Sequence, residues 1–389
     1  MEHKVKTAVV GCGAISGIYI KNLKSMFSMI DLVAIGNRTM SAAEARAEEF
    51  GIGRVMTIDE IAADPEIELV VNLTPAYAHY EIIKQMLLAG KHVWTEKTMT
   101  VTAAQARELV ELAESRGLYI GVAPDTVLGA GLQTARQALD TGMIGQVTSG
   151  IAVINRDQVK NAEFFTFLRG EGGSLAYDVG IYYIAALISL LGPVESVTAF
   201  GAPARERDLA ADGSAGAEDW IVPGCNLLSA SLRFASGAIV SVHFDGNTIN
   251  APQHNITLFG RTGILKIGDP NRFDGNVTLI RAGEAELELP FTHGYDGVNT
   301  QEPTKYDRYG HRGVGAAELA YAIRQGRPNR CSKEYGLHCL EILEAMETSA
   351  ATGKAVDIEP RFEMKPLEAG HFSAASGGQP DEAERSLVK

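Results

Sequence analysis

The chain has 389 residues, 46% of them apolar and 21% charged, with 48 acidic against 35 basic side chains and a formal net charge of −13. That length supplies core for two domains, and the acidic balance argues against nucleic-acid or anionic-membrane binding, which needs a basic face. No apolar run approaches the roughly 18–20 residues that span a bilayer, Cys12, Cys225, Cys331 and Cys339 lack C-x-x-C spacing, and the N-terminus has no export-signal pattern, so the expectation is a cytoplasmic protein with reduced thiols and no metal site.

Residues 7–10 form a short strand that runs into Gly11-Cys12-Gly13-Ala14-Ile15-Ser16 and then into an amphipathic helix over 15–29. A strand, a glycine turn and a helix in that order suit a dinucleotide pyrophosphate. Gly11 permits the tight turn, Gly13 lets the backbone approach the phosphates, and the helix presents unpaired N–H groups and its positive dipole end. Ser16 stands where the third glycine of the G-x-G-x-x-G pattern usually falls. The next strand, 32–35, ends at Asn37 and Arg38, where the cofactor ribose is read. Asn37 can bond a ribose hydroxyl and Arg38 can hold a 2′-phosphate or stack on adenine, so NAD is expected with NADP still open.

Ser41-Ala42-Ala43-Glu44, Thr57-Ile58-Asp59-Glu60 and Thr102-Ala103-Ala104-Gln105 read as capping boxes that open helices. The apolar run 69–73 has the composition of a parallel strand buried on both faces, and Thr74, Pro75 and His79 follow it. A strand over 92–97 ends in Glu96-Lys97, and one at 119–122 completes a doubly wound parallel sheet, a Rossmann dinucleotide-binding domain over 1–124. Its cofactor contacts are expected from Gly11, Gly13, Ala14, Ile15, Asn37, Arg38, Thr74, Pro75, His79, Glu96 and Lys97.

From residue 125 the pattern changes to an α/β domain over 125–365. A helix over 131–141 leads into a strand over 147–154 and a polar loop bearing Arg156, Asp157, Lys160 and Arg169. Gly172-Gly173-Ser174 precedes a strongly apolar helix ending at Leu191. Strand pairs 227–234/238–244, 256–259/264–267 and 277–280/285–289 read as hairpins of an open, mostly antiparallel sheet. Helices over 314–324 and 334–352 close the domain, and 366–389 reads as a flexible tail.

With Gly11-Cys12-Gly13, the pair Glu96-Lys97, and Gly172-Gly173-Ser174-Leu175-Ala176-Tyr177-Asp178-Val179-Gly180-Ile181-Tyr182 in this order, the chain resembles the Gfo/Idh/MocA oxidoreductases from its N-terminus to about residue 360. The resemblance implies a nicotinamide-dependent enzyme acting on a secondary hydroxyl of a sugar, glycoside or cyclitol. It also implies a homo-oligomer assembled through the C-terminal sheet. Two features depart from the family. Thr98 follows Lys97 where relatives commonly have proline, and Pro124-Asp125-Thr126-Val127-Leu128-Gly129 replaces a segment that often carries asparagine or arginine.

Hydride transfer at a carbinol carbon needs a group to take the hydroxyl proton. Asp178 and Tyr182, four apart on a helix, share a face. A tyrosine near pKa 10 or a lysine near about 10.4 becomes usable when its surroundings lower it. By resemblance, Lys97 matches the family's lysine near the nicotinamide, and Tyr182 stands where many relatives have histidine and some sugar and dihydrodiol dehydrogenases have tyrosine. The roles that follow are Tyr182 as proton acceptor, with Tyr183 as a rival, Lys97 as its electrostatic partner and hydroxyl ligand, and Asp178 as a substrate-orienting acceptor. Further substrate contacts are expected from Asp125, Arg156, Arg169 and His311, with Asp157 and Arg312 also in view. A glycoside-cleaving enzyme that oxidises its substrate transiently on bound NAD, and a non-catalytic nicotinamide-binding regulator, are the alternatives.

Overall fold

The structure, a computed structural model, describes residues 4–205, 220–249, 255–297, 306, 310–359 and 362–367. The short apolar runs of the first third become six strands, β1 (Val5–Val10), β2 (Ile30–Gly36), β3 (Val55–Met56), β4 (Leu69–Asn72), β5 (His92–Thr95) and β6 (Ile120–Val122), in the order β3-β2-β1-β4-β5-β6. Every pairing is parallel. Helices α1 (Ser16–Ser25), α2 (Met40–Phe50), α3 (Ile58–Ala63), α4 (Ala76–Leu88) and α5 (Ala103–Ser115) connect them. The strand order reverses between β1 and β4, which opens a crevice beyond their carboxyl ends, the usual ligand position in such sheets.

The expected helix starts fare unequally. Thr57 and Glu60 make a complete reciprocal box at α3. At α5 the Thr102 hydroxyl accepts from Gln105 N–H. Ser41 does not cap α2: the helix begins at Met40 with Thr39 at its cap and no side-chain bond there, so Ser41 lies inside the first turn.

Among the described residues nine further strands make a second sheet: β7 (Val147–Asn155), β8 (Val194–Pro203), β9 (Cys225–Phe234), β10 (Ile239–Asp245), β11 (Ile256–Gly260), β12 (Ile264–Ile267), β13 (Val277–Ile280), β14 (Leu287–Glu288) and β15 (Val356–Asp357). Their order is β14-β13-β12-β11-β7-β10-β9-β8-β15, antiparallel throughout except where β7 meets β10 in parallel. On β9 the alternation is regular, with Leu228, Ala230, Leu232 and Phe234 buried and Ser229, Ser231 and Arg233 exposed. Helices α6 (Ala130–Asp140) and α10 (Lys333–Thr352) pack on the buried face, and α8 (Ile181–Leu191) packs against both. The polar loop after β7 contains a short helix, α7 (Gln158–Phe164), capped by Asp157.

The last part of the chain returns to the first sheet through α9 (Val314–Gln325) and α10. Trp94, fully buried on β5, permits this because small residues face it. A Cβ added at Gly315 would lie 2.1 Å from its ring, and one at Gly121 2.5 Å. Val122 N–H donates to Cys331 O at 2.9 Å, and one continuous hydrophobic core joins both sheets. Pro366 and Leu367, read from sequence as the start of the tail, belong to the packed body: Leu367 is buried and its N–H donates to Gln133 Oε1 at 2.7 Å. The rest of the tail lies outside the described residues.

Candidate active site

The glycine turn closes the β1 end of a cleft of about 610 Å³. Gly11 has φ +104°, and a Cβ there would sit 2.7 Å from the Leu73 carbonyl carbon, so both conformation and space demand glycine. Gly13 is different: a Cβ added to it meets nothing within 4 Å, because it faces the cleft. Ser16 is buried, and its hydroxyl donates to Gly13 O at 2.7 Å, which is how a serine fits the third glycine's place. Cys12 N–H donates to Asn37 Oδ1 at 3.3 Å, and Asn37 Nδ2 donates to Thr39 O at 3.0 Å, so this amide ties the turn to the end of β2. Thr74 donates through its hydroxyl to Asn72 Oδ1 at 2.7 Å. An open cradle at Gly13, a helix start and a switch-point crevice fit a dinucleotide.

At the other end, β5 delivers Glu96 and Lys97. Glu96 is buried and accepts from Tyr19 Oη at 2.7 Å. Lys97 Nζ donates to Asp178 O at 2.6 Å and to Asp178 Oδ1 at 3.0 Å, and lies 5.6 Å from the centre of the Tyr182 ring. Asp178 sits in a π-helical turn, Ala176–Gly180, that precedes α8. Gly180 ends this turn close under Phe244, which a Cβ would approach to 2.8 Å. The second carboxylate oxygen of Asp178 accepts from Gln158 Nε2 at 3.0 Å and lies 3.8 Å from Arg156 Nη1.

Burial, the largest single influence, pushes the Lys97 ammonium down, but the charge and hydrogen bond of Asp178, with the charges of Tyr182 and Glu96, together outweigh it and raise its pKa. Burial likewise pushes Asp178 up, and Lys97, the Gln158 hydrogen bond and Arg156 together hold it below the usual carboxylate range. Both groups are therefore ionised at neutral pH. Tyr182 is raised by burial, against the opposing pull of Arg312 and Lys97, so its resting form is the phenol. Arg312 Nη2 donates to the Tyr182 hydroxyl at 3.4 Å and to Asn271 Oδ1 at 2.7 Å, while Nη1 pairs with Asp125 at 3.3 Å. Asp125 also accepts from the N–H groups of Gly313 and Gly315 at 2.8 and 3.3 Å.

Of the residues expected from sequence, Gly11, Gly13, Ala14, Ile15, Asn37, Thr74, Pro75, Glu96, Lys97, Arg156, Asp178 and Tyr182 border this one cleft. Five others do not, and four of these are held elsewhere by their packing. Arg38 is exposed beside it. His79 is buried in α4 with its two ring nitrogens 2.6 and 2.7 Å from the carbonyls of Thr98 and Thr74, joining the two loops from behind. Asp125 is fully buried as the partner of Arg312. Arg169 folds back, its Nε donating to Ala162 O at 2.9 Å and its guanidinium 4.4 Å from the Trp220 ring centre. His311 is buried edge-on to Phe273 and Tyr295 and accepts from Gly297 N–H at 3.3 Å.

Arg312 also lies behind the site rather than in it. Tyr183 points elsewhere and bonds Asn255. Asp178, expected to hold substrate, spends its oxygens on Lys97 and Gln158. Gln158, Asn271, Tyr77, Phe165 and Phe167 were not expected. The first lies two residues past Arg156, but no pattern marks any of them. Among the described residues no group of His, Cys, Asp and Glu is arranged to hold a metal.

Residues 5–123 match the family model described as oxidoreductase family, NAD-binding Rossmann fold, and residues 132–266 match the GFO/IDH/MocA C-terminal domain. An uncharacterized oxidoreductase of Schizosaccharomyces pombe is 34% identical over 198 residues, 50% of this chain and 54% of the relative, so the chain spans about half the length of the first curated relatives it matches. The scyllo-inositol 2-dehydrogenase (NADP(+)) of Bacillus subtilis is 24% identical over 366 residues, covering 91% of this chain and 96% of the relative. Among solved structures, a levoglucosan dehydrogenase in complex with NADH and L-sorbose shares the fold with a TM-score of 0.78 at 19% identity, covering 92% of this chain and 99% of the other.

Proposed function

The chain belongs to the Gfo/Idh/MocA family of NAD(P)-binding oxidoreductases, and from that premise we propose that it moves a hydride between the nicotinamide and a secondary ring hydroxyl of a sugar, glycoside or cyclitol. The observation that carries this reading is the meeting of Lys97, Asp178 and Tyr182 in the same cleft as the Gly11–Gly13 turn. The printed substrates of the two named similar proteins, an inositol and levoglucosan, are both polyhydroxylated rings.

Held at the Gly11–Gly13 turn, a nicotinamide cofactor would supply the hydride chemistry. The rest is proton handling by this chain. Tyr182 holds the proton that the substrate oxygen gains on reduction and loses on oxidation. Its phenolate, when formed, faces Arg312 and the Lys97 ammonium, which lower the cost of that charge. An ammonium has three donors. Two of those on Lys97 go to Asp178, and the third is assigned to the substrate oxygen. Asp178 is thereby a positioning residue for Lys97, and Arg156 offers a cation to neighbouring hydroxyls.

The domain division is proposed at residue 124, after β6, with the second domain running from 125 through Leu367, which packs on its body. Self-association is proposed through the outward face of the second sheet, where Ile151, Phe200 and Ile239 are exposed among serines and threonines. All four cysteines are free thiols, which suits the cytoplasm. Among the described residues no helix is long and apolar enough to cross a membrane.

The test is reduced-nicotinamide absorbance with NAD and NADP separately against free sugars, inositols and glycosides. Net reduction with at least one polyol ring is expected. Release of an aglycone without net reduction would replace this reading by redox-assisted cleavage, and cofactor binding without any turnover would favour a regulator.

A further inference from the structure

The floor of the cleft is polar and shielded, with the Lys97 and Asp178 side chains only 16% and 13% exposed. Its rim is not. Phe165 and Phe167 border the same cleft with 48% and 52% of their surface open to solvent, and their ring centres lie 6.1 Å apart. Leaving two adjacent phenylalanine rings in water forgoes the burial that normally places them in a core.

They are not the loose end of a strand. Leu168, next to Phe167, is buried in a small separate core with Val159, Ala162 and Val222. Arg169 is folded back over Trp220, and Gly173 packs so tightly on Leu168 that a Cβ would fall 2.0 Å from its carbonyl oxygen. This segment continues α7, whose first residue, Gln158, bonds Asp178. Rim and floor are therefore held in one piece.

Building on the proposed polyol oxidoreductase activity, we infer that Phe165 and Phe167 form a subsite for a neutral, apolar substituent on the substrate ring, such as an aryl or alkyl aglycone, while Lys97, Tyr182 and Arg156 engage the ring hydroxyls. Paired aromatic rings offer stacking faces to an aryl group and apolar area to an alkyl chain. The carboxylate of Glu171, exposed on the same rim, disfavours an anionic substituent such as a phosphate. The substrate class is thus a glycoside or ether of a polyol, in preference to a free or phosphorylated sugar.

The experiment is calorimetric titration of the NADH-loaded protein with matched phenyl and methyl glycosides of glucose, galactose, mannose and xylose, for the wild type, Phe165→Ala and Phe167→Ala. Melting temperature and light-scattering mass are recorded alongside. For at least one sugar, the phenyl glycoside is expected to bind the wild type more tightly than its methyl counterpart, and each substitution is expected to cut that phenyl-to-methyl ratio by about 3–10-fold. Three results overturn the inference: no binding of any phenyl glycoside, equal losses for phenyl and methyl partners, which would mean the rings stack on the sugar itself, or an unchanged ratio with a drop in mass, which would make the rim a subunit contact. Hydride transfer is read separately. Phenyl glycosides that bind through the rim without being oxidised would leave this subsite standing and refute the activity it builds on.

Discussion

At the dinucleotide end of the cleft the working parts are backbone and small residues contiguous in sequence: Gly11 forced into the turn by Leu73, Gly13 open to the cleft, and Ser16 folded onto the turn. At the proposed proton-handling end they are long charged or polar side chains from separate stretches, Lys97 from just past β5, Gln158 from α7, Asp178 from the π turn and Arg312 from the approach to α9. The first end is set by local conformation and tolerates little change of shape. The second is set by a chain of charges, Arg156 to Asp178 to Lys97, with Arg312 to Asp125 behind Tyr182, and should be sensitive to each charge.

The strongest way to break the comparison is Lys97→Ala. It removes the cation between Asp178 and Tyr182 and should lower kcat/KM by about 10³-fold, read by steady-state assay, with NADH affinity by fluorescence changed far less. Comparable losses in both would erase the distinction between the two ends. Arg312→Met should act on the fold, since Asp125 is left buried and unpaired at a cost of about 3–5 kcal/mol. Chemical denaturation should show that loss, and adding Asp125→Asn should recover part of it.

The glycine pair sharpens the other side. Gly11→Ala should lower the melting temperature, because it places a Cβ in the Leu73 backbone at positive φ. Gly13→Val should leave melting unchanged and weaken NADH binding about 10–100-fold by filling the cradle. Equal melting losses for both would contradict the different surroundings of the two residues. Thr57→Ala, at a cap far from the cleft, should cost about 2 °C and no activity.

pH separates stability from catalysis. Asp178 is lowered in the fold, so its contribution is present above the unfolded carboxylate value and lost as pH falls through the folded one. Lys97 is raised, so its contribution is present below the unfolded lysine value and lost as pH climbs through the folded one. Between those limits the pair leaves stability flat with pH. If Tyr182, raised by burial, carries the proton as proposed, alcohol oxidation should climb with pH by up to about tenfold per unit while ketone reduction stays level near neutrality. Stopped-flow traces in both directions across neutral and alkaline pH check this, and parallel profiles would remove Tyr182 from the proton path.

Much of the fold was legible because its signals are local. The apolar run at β4, the hairpins on either side of Ser236-Gly237 and Thr262-Gly263, and the glycine turn each carry their own pattern. β8 was missed where a register shift between Val194 and Ser196 breaks the alternation, β3 because two residues have no period, and α7 because its seven residues are largely polar and lie in a polar stretch. In the site, Lys97, Asp178 and Tyr182 could be picked out by their motif order and the four-residue spacing. Asp125, His79, Arg169 and His311 looked equally eligible. Whether a polar side chain faces the cleft or a buried partner depends on contacts with remote residues, as Asp125 with Arg312 and His79 with Thr98, and sequence spacing does not encode those.

The central claim, that Tyr182 carries the proton, is tested most directly by single-turnover hydride transfer with Tyr182→Phe, which removes one oxygen and leaves the ring between Lys97 and Arg312. NADH affinity within about twofold of wild type and a chemical step slowed by about 10² or more are predicted. A chemical step at the wild-type rate would contradict the account and put the proton on another group.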